Sequence, residues 1–447
     1  MLNESGALER CADLIAGARS LGADQADAVY VGSHSDSVHI RLGKLETVDR
    51  SESEHFGLRV FVGQRQATIG ASALDETSLE ELATRAIAMA RSAPEDQYAG
   101  LAPAEMLMRA VPPDLDLLSE ERSPEALRRS AEEAEDAARS VDGVTNSEGA
   151  AAGTGGNVIA LATSHGFAGS YAQTHHSLSA GVVAGEGSGM ERGSEWRVAR
   201  HFGDLPVATA IGEEAASRAI ARLNPTTLPS GAMPVVFDPR VGRSLVSHMI
   251  SAMAGPSIAR RASFLLDHEG EQIFDSAITI LDDPLKKRGL ASLPFDGEGL
   301  ATKPVAIVEN GVLGSWLLDS ASARKLGRMP TGHAVRSGGS APSVSPSNVT
   351  LTGGTGTLAD LIRDIGEGVL VTDLIGHGVN GVTGDYSRGA AGFAIKGGEI
   401  AGPVSGITIA GNLRDMYRTM RAAGDVQSRY SINVPTLRVD GMTVAGA

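Results

Sequence analysis

Apolar positions recur every three or four residues through 7–21, where Leu8, Cys11, Leu14, Ile15, Ala18 and Leu21 share one face of an expected amphipathic helix. The period then drops to two. Residues 26–72 read as short strands, DAVYVG, SVHIRLG, KLETVDR, FGLRVFVG and QATIGAS, with turns at Gly43-Lys44 and Gly63-Gln64. That pattern predicts an antiparallel meander. Ser78 and Glu81 have capping-box spacing for a helix reaching about Ser92. Ser123-Pro124 opens another through Glu132, Glu135 and Arg139, with proline in its first turn. Strands resume at 157–163 and 169–183, and a helix follows near 208–223. The loops SEGAAAGTGGN (147–157) and HAVRSGGSAPSVSPSN (333–348) are expected to be mobile.

Residues 224–234 (NPTTLPSGAMP) concentrate Pro, Thr, Ser and Gly ahead of the apolar VVF, the expected domain boundary. Beyond it lie short β-like runs, AIVENG, GSWLL, NVTLTGG, GVLVTDLI, GFAIKGG and GITIAG, separated by glycine turns. The expected class is α+β. An N-terminal α/β domain with an antiparallel meander would occupy 1–225, and a C-terminal β-rich, barrel-like domain 226–447. No internal repeat is visible.

Composition narrows the function. A chain of 447 residues exceeds what one core usually serves, and 42% hydrophobic content supports more than one. The formal charge of −15 disfavours direct nucleic-acid binding, and 4% aromatics leave few platforms for bases. Cys11 is the only cysteine, so neither an internal disulfide nor a multi-cysteine zinc site can form. MLNESGALERC lacks the layout of a signal peptide, and no apolar run approaches the roughly 20 residues of a membrane span. A soluble cytoplasmic protein is expected.

Chemistry concentrates in GHGVNGVTGDYSRGAAG, residues 376–392. Its glycines are too many for a helix and too frequent for an ordinary strand, and they let backbone lie close to another backbone or a ligand. Gly384, Asp385, Tyr386, Ser387, Arg388 and Gly389 form the candidate peptide- or partner-binding segment. Gly376, Gly378 and Gly381 match GxGxxG, but no helix can open on VTGDYSRGAAG, which removes the dinucleotide reading. Ser322 and Lys325 fit S-x-x-K without the companion SDN or KTG, so a helix turn is preferred. His268-Glu269 begins like HExxH, but Gln272 holds the final position. His175 and His176 are adjacent on a strand and point to opposite faces. Asp296 and Glu298 would form an acid/base pair only if burial shifted one of them.

Several blocks in order, FLLDHEGEQI, RGLASLPFDGEG, SARKLG with TGHA, GVNGVTGDYSRGAAGF and GITIAGNLRDM, resemble the PmbA/TldE branch of the TldD/PmbA family. The resemblance implies a two-subunit zinc-dependent peptidase acting on small or unfolded peptides. Zinc and a glutamate base would come from the HExxxH motif of a TldD-like partner. Here the equivalent window is implied to be 243–248, with Arg243 at the first histidine, Ser244 at the glutamate and only His248 retained. The third ligand of catalytic relatives is a C-terminal cysteine, which this chain lacks. The expectation is a chain with no catalytic or metal-binding residue of its own, pairing with that subunit or, alone, with itself. Its C-terminal domain would wall a chamber where an extended peptide hydrogen-bonds exposed backbone. Two alternatives stay open: a stand-alone metallopeptidase using scattered residues such as His248, His333 and His377, and a protein-binding regulator of DNA gyrase. Neither direct nucleic-acid contact nor membrane contact is expected.

Overall fold

A computed structural model describes residues 1–72, 76–111 and 113–446. The N-terminal half is one long antiparallel sheet backed by four helices. Its strands are β1 (Gln25–Arg41), β2 (Lys44–Val62), β3 (Arg65–Ala71), β4 (Val144–Thr163), β5 (Ala168–Ala184) and β6 (Glu191–Ala199), in the order β3-β2-β1-β4-β5-β6. The expected meander is β1-β2-β3, but its five predicted pieces merge into three strands. Pairing runs unbroken through Ser33–Asp36 and Ser51–Glu54, because polar residues at a solvated face do not interrupt a ladder. Residues 147–157 are likewise not a mobile loop. They lie inside β4, paired with β5 on one side and, from Ala150, with β1 on the other.

Alternation sorts the sheet's two faces. Ala26, Ala28 and Tyr30 of β1 pack under α1 (Glu4–Ser20) and α2 (Glu76–Ser92). Val38 and Ile40 pack under α3 (Pro124–Arg139) and α4 (Ala208–Ala221). Asn3 and Ser123 cap α1 and α3 through backbone N–H groups of Gly6 and Ala126. Because α2 already begins at Glu76, Ser78 lies in its first turn and not at the predicted cap.

The opposite face of the sheet packs on the C-terminal half, with Val29, Leu161 and Phe167 against Phe295 and Leu300. The segment 333–348 is anchored here and is no loose loop. Ala334-Val335 pairs with Ser343-Val344, and buried Arg336 ion-pairs with Asp27. A Cβ on Gly57 would stand 1.8 Å from the Gly338 carbonyl oxygen, so glycine there permits the contact.

The C-terminal half closes a five-stranded barrel. Its strands are β7 (Gly231–Phe237), β8 (Glu367–Val379), β9 (Asp385–Lys396), β10 (Glu399–Asn412) and β11 (Leu437–Ala445). Their order is β10-β9-β8-β7-β11, and Thr408–Ala410 of β10 returns to pair with Thr443–Ala445 of β11. Within this barrel β7 and β8 run parallel, and the other neighbouring pairs are antiparallel. Helix α5 (Pro239–Met253), capped by Asp238 with Pro239 in its first turn, buries Leu245, Met249 and Met253 in the barrel core. The predicted strand GSWLL is instead irregular chain, whose Trp316, Leu317 and Leu318 are core residues and whose ladder contact is one bridge from Leu317 to Ala254. Its apolar run reported burial, which periodicity alone cannot distinguish from a strand. The helix Ser320–Leu326 contains Ser322 and Lys325, and Ser322 is held by the capping carboxylate of Asp319. The architecture is α+β, with a curled antiparallel sheet followed by a strand-rich barrel.

Candidate functional site

Helix α5 is amphipathic. Its inner face is apolar, and Arg240, Arg243, Ser244, Ser247, His248 and Ser251 recur along its half-exposed to exposed side at helical spacing. Those side chains then diverge. The Arg243 guanidinium stacks over the Tyr430 ring, 4.4 Å from its centroid. The Ser244 hydroxyl donates back to the Val241 carbonyl at 2.6 Å, so it is engaged locally. His248 turns the other way and meets Tyr386 edge-on, with centroids 6.2 Å apart.

The glycine-dense segment is the hairpin of β8 and β9, turning at Asn380–Gly384. Its strands are interrupted by register shifts between Ile375 and Gly378 and between Val371 and Asp373. Close backbone approach explains the glycines best at Gly392, where a Cβ would lie 1.9 Å from the Leu370 carbonyl oxygen. Residues 385–389 pair with 408–412 on one side and with the β8 arm on the other. The backbone of this segment is thus taken up by pairing within the barrel. The open edge lies elsewhere. β8 pairs with β7 only over Val369–Val371, leaving the outer edge of 373–379 without a ladder partner among the described residues.

Strand alternation divides the DYSR core. Asp385 and Ser387 are exposed, and the Asp385 carboxyl is held below its ordinary range by hydrogen bonds from Thr383 and Asn412. Tyr386 and Arg388 point toward α5. Tyr386 is buried, and its phenol is pushed well above the ordinary range by desolvation. Gly384 adopts φ of 82° at the end of the turn, and Gly389 pairs with Ile375.

His248, His377 and Arg388 thus line one pocket of about 310 Å³, together with Ser251, Ser257 and Phe264. Burial, and then the nearby charge of Arg388, push the His248 pKa below its ordinary value. The Nε2 of His248 and the hydroxyl of Tyr386 are buried without hydrogen-bond partners among the described residues. Ser251 follows His248 by one helical turn and was legible from spacing. Ser257 and Phe264 arrive from the chain after α5, and no sequence signal announces them.

The residues present do not fit a metal centre. Of the 243–248 window, only His248 is a ligand type, and no group of three or more His, Cys, Asp or Glu is placed to hold an ion among the described residues. The scattered set also fails to converge. His248 and His377 share a pocket, but His333 is buried elsewhere, with Nε2 3.2 Å from Asp282 and Nδ1 2.8 Å from the Thr331 hydroxyl. His268 lies in a turn with its Nδ1 2.7 Å from Glu271. His176 is buried between Ser119 and Thr154, while adjacent His175 is only half-buried.

Asp296 and Glu298 are both buried, the condition under which one of them could shift. Burial and the neighbouring Glu298 push the Asp296 pKa up to about 7. Asp296 accepts backbone N–H groups of Glu298, Leu300 and Ala334, and Glu298 accepts that of Ser320. Arg59 links Glu298 to Asp27 across the junction between the halves. These contacts describe a structural brace, and neither carboxylate lines the pocket that holds His248 and Arg388.

Models of the PmbA/TldA metallopeptidase match three successive segments: domain 1 at 26–90, the central domain at 117–223 and the C-terminal domain at 230–446. The metalloprotease PmbA of Escherichia coli O157:H7 is 38% identical over 435 residues, covering 97% of this chain and 94% of the relative. A solved Bacteroides thetaiotaomicron structure, described as a candidate modulator of DNA gyrase, superimposes with TM-score 0.91 at 26% identity over 100% of both chains. TldE from Thermococcus kodakarensis has the same fold, with TM-score 0.86 at 22% identity over 98% of this chain and 100% of that one.

Proposed function

Because the chain belongs to the PmbA/TldD metallopeptidase family, in its PmbA/TldE branch, we propose that it is the metal-free subunit of a TldD/TldE-type peptidase. Zinc and the water-activating carboxylate come from a TldD-like HExxxH subunit. This chain supplies part of the wall against which a small, unfolded peptide lies. The observation carrying this reading is the chemistry of α5. Arg243 is a fixed cation committed to Tyr430, and Ser244 carries no carboxylate, so the 243–248 window gives His248 no second ligand. The unpaired edge of β8 supports the peptide role, because an extended chain can add there through backbone hydrogen bonds with little sequence preference.

The test measures zinc by mass spectrometry and peptide hydrolysis by chromatography, for the chain alone and after co-expression with an HExxxH sibling. The expected result is zinc and turnover only in the co-expressed complex. Stoichiometric zinc with turnover in the lone chain would overturn the reading.

A further inference from the structure

The pocket between α5 and the β8–β9 hairpin has a chemical bias that a generic peptide wall does not need. Its polar lining is His248, Ser251, Ser257, His377 and Arg388, and no aspartate or glutamate among the described residues lines it. In a chain of net charge −15 that is unusual. The buried side chains of Arg59 and Arg336 pair with Asp27 and half-buried Arg218 pairs with Glu195, while buried Arg200 is satisfied by three backbone carbonyls. Arg388 forms no such pair among the described residues. Its Nε donates to the Ile375 carbonyl oxygen at 3.3 Å, which anchors the side chain and leaves the terminal nitrogens available.

A second observation points to a missing acceptor or donor. His248 Nε2 is buried without a partner, and so is the hydroxyl of Tyr386, a residue only 1% exposed. Buried polar atoms are ordinarily satisfied, and exceptions need a ligand, water or ion to explain them. The volume of about 310 Å³ lies at the small end of ligand pockets, enough for a terminal residue and not for a whole peptide.

We propose that this pocket is a carboxylate-binding subsite, in which Arg388 and His377 hold a peptide carboxylate while the hydroxyl of Ser257 adds a hydrogen bond and that of Ser251 stays donated to the Ser247 carbonyl at 2.9 Å. Guanidinium and carboxylate match as planar, charge-assisted partners. His377 and Val379 belong both to the pocket lining and to the unpaired edge of β8, so a peptide added along that edge ends in the pocket. The inference rests on the proposed peptide-wall role and adds what part of the peptide is recognised.

The experiment titrates the isolated chain, in chelator, with three probes by calorimetry: acetyl-trialanine as the free acid, the same peptide as its amide, and acetyl-Ala-Glu-Ala amide. The free acid is expected to bind at least about tenfold tighter than the amide, as a lost charge-assisted pair implies. Tight binding of the glutamyl amide instead assigns the subsite to an acidic side chain. Arg388→Gln removes the preference, and Arg388→Lys, which keeps the charge, restores part of it. His377→Gln, at an exposed position, weakens the acid without unfolding the chain. Equal affinity for acid and amide, absence of binding by every carboxylate probe, or a preference surviving Arg388→Gln overturns the proposal. Acid-selective binding in a chain that also hydrolyses peptides alone would defeat the proposed function and leave the subsite standing.

Discussion

Arg59 ties the two halves together at their junction. It is buried, its Nε donates to Asp27 at 2.8 Å, and its Nη2 lies 3.4 Å from Glu298. Replacing it by methionine leaves Glu298 buried without its arginine, while Asp27 keeps only Arg336. The expected loss is about 3–5 kcal/mol, read by urea denaturation. Two other buried groups act on pH dependence with opposite signs. His248 has a folded pKa below its ordinary 6.5, so its contribution is present above that value and is lost as pH falls below it. Asp296 has a folded value of about 7 against 3.8, so its contribution is full below 3.8 and is lost as pH rises through about 7. Because the two oppose, the measurement is a comparison. His248→Gln should show stability rising less steeply with pH just below 6.5 than the parent chain, and an unchanged slope would remove His248 from this account.

Among the elements, the β8–β9 hairpin and the anchored segment 333–348 depend on backbone contacts that a side chain would block. Gly392→Ala places a methyl 1.9 Å from a carbonyl of the paired strand and should cost about 1–3 kcal/mol in thermal or chemical denaturation. Gly57→Ala meets the Gly338 carbonyl at 1.8 Å, at the surface where 333–348 docks. Its expected signature is local: faster proteolysis within 337–342, with the helices over the far face of the sheet still protected from hydrogen exchange. Unchanged cleavage would show that the docking survives without the contact. Helix α5 carries both roles at once, since its apolar face fills the barrel while its polar face lines the pocket.

For the whole molecule, the proposed assembly predicts a mass. Light scattering after co-expression with an HExxxH subunit should give one copy of each chain, and a mixture of separate chains would count against it. The net charge of −15 predicts no binding to duplex DNA in fluorescence anisotropy at physiological salt, where a gyrase regulator would have to act by touching the enzyme.

Much of this molecule is legible in its residues. The helical face of Cys11, Leu14, Ile15 and Ala18, the Ser123-Pro124 start of α3, and the hairpin turn at Gly43 all follow from local periodicity and capping. The identities of Arg243 and Ser244 likewise state by themselves that this window lacks a metal-binding set. Local pattern could not show that 147–157 is the middle of a strand, that Asp296 is buried, or that Arg388 shares a pocket with a histidine 140 positions earlier. Those facts depend on contacts between segments far apart in the chain, where sheet pairing, barrel closure and the packing of one half on the other decide which polar groups lose water and which keep it.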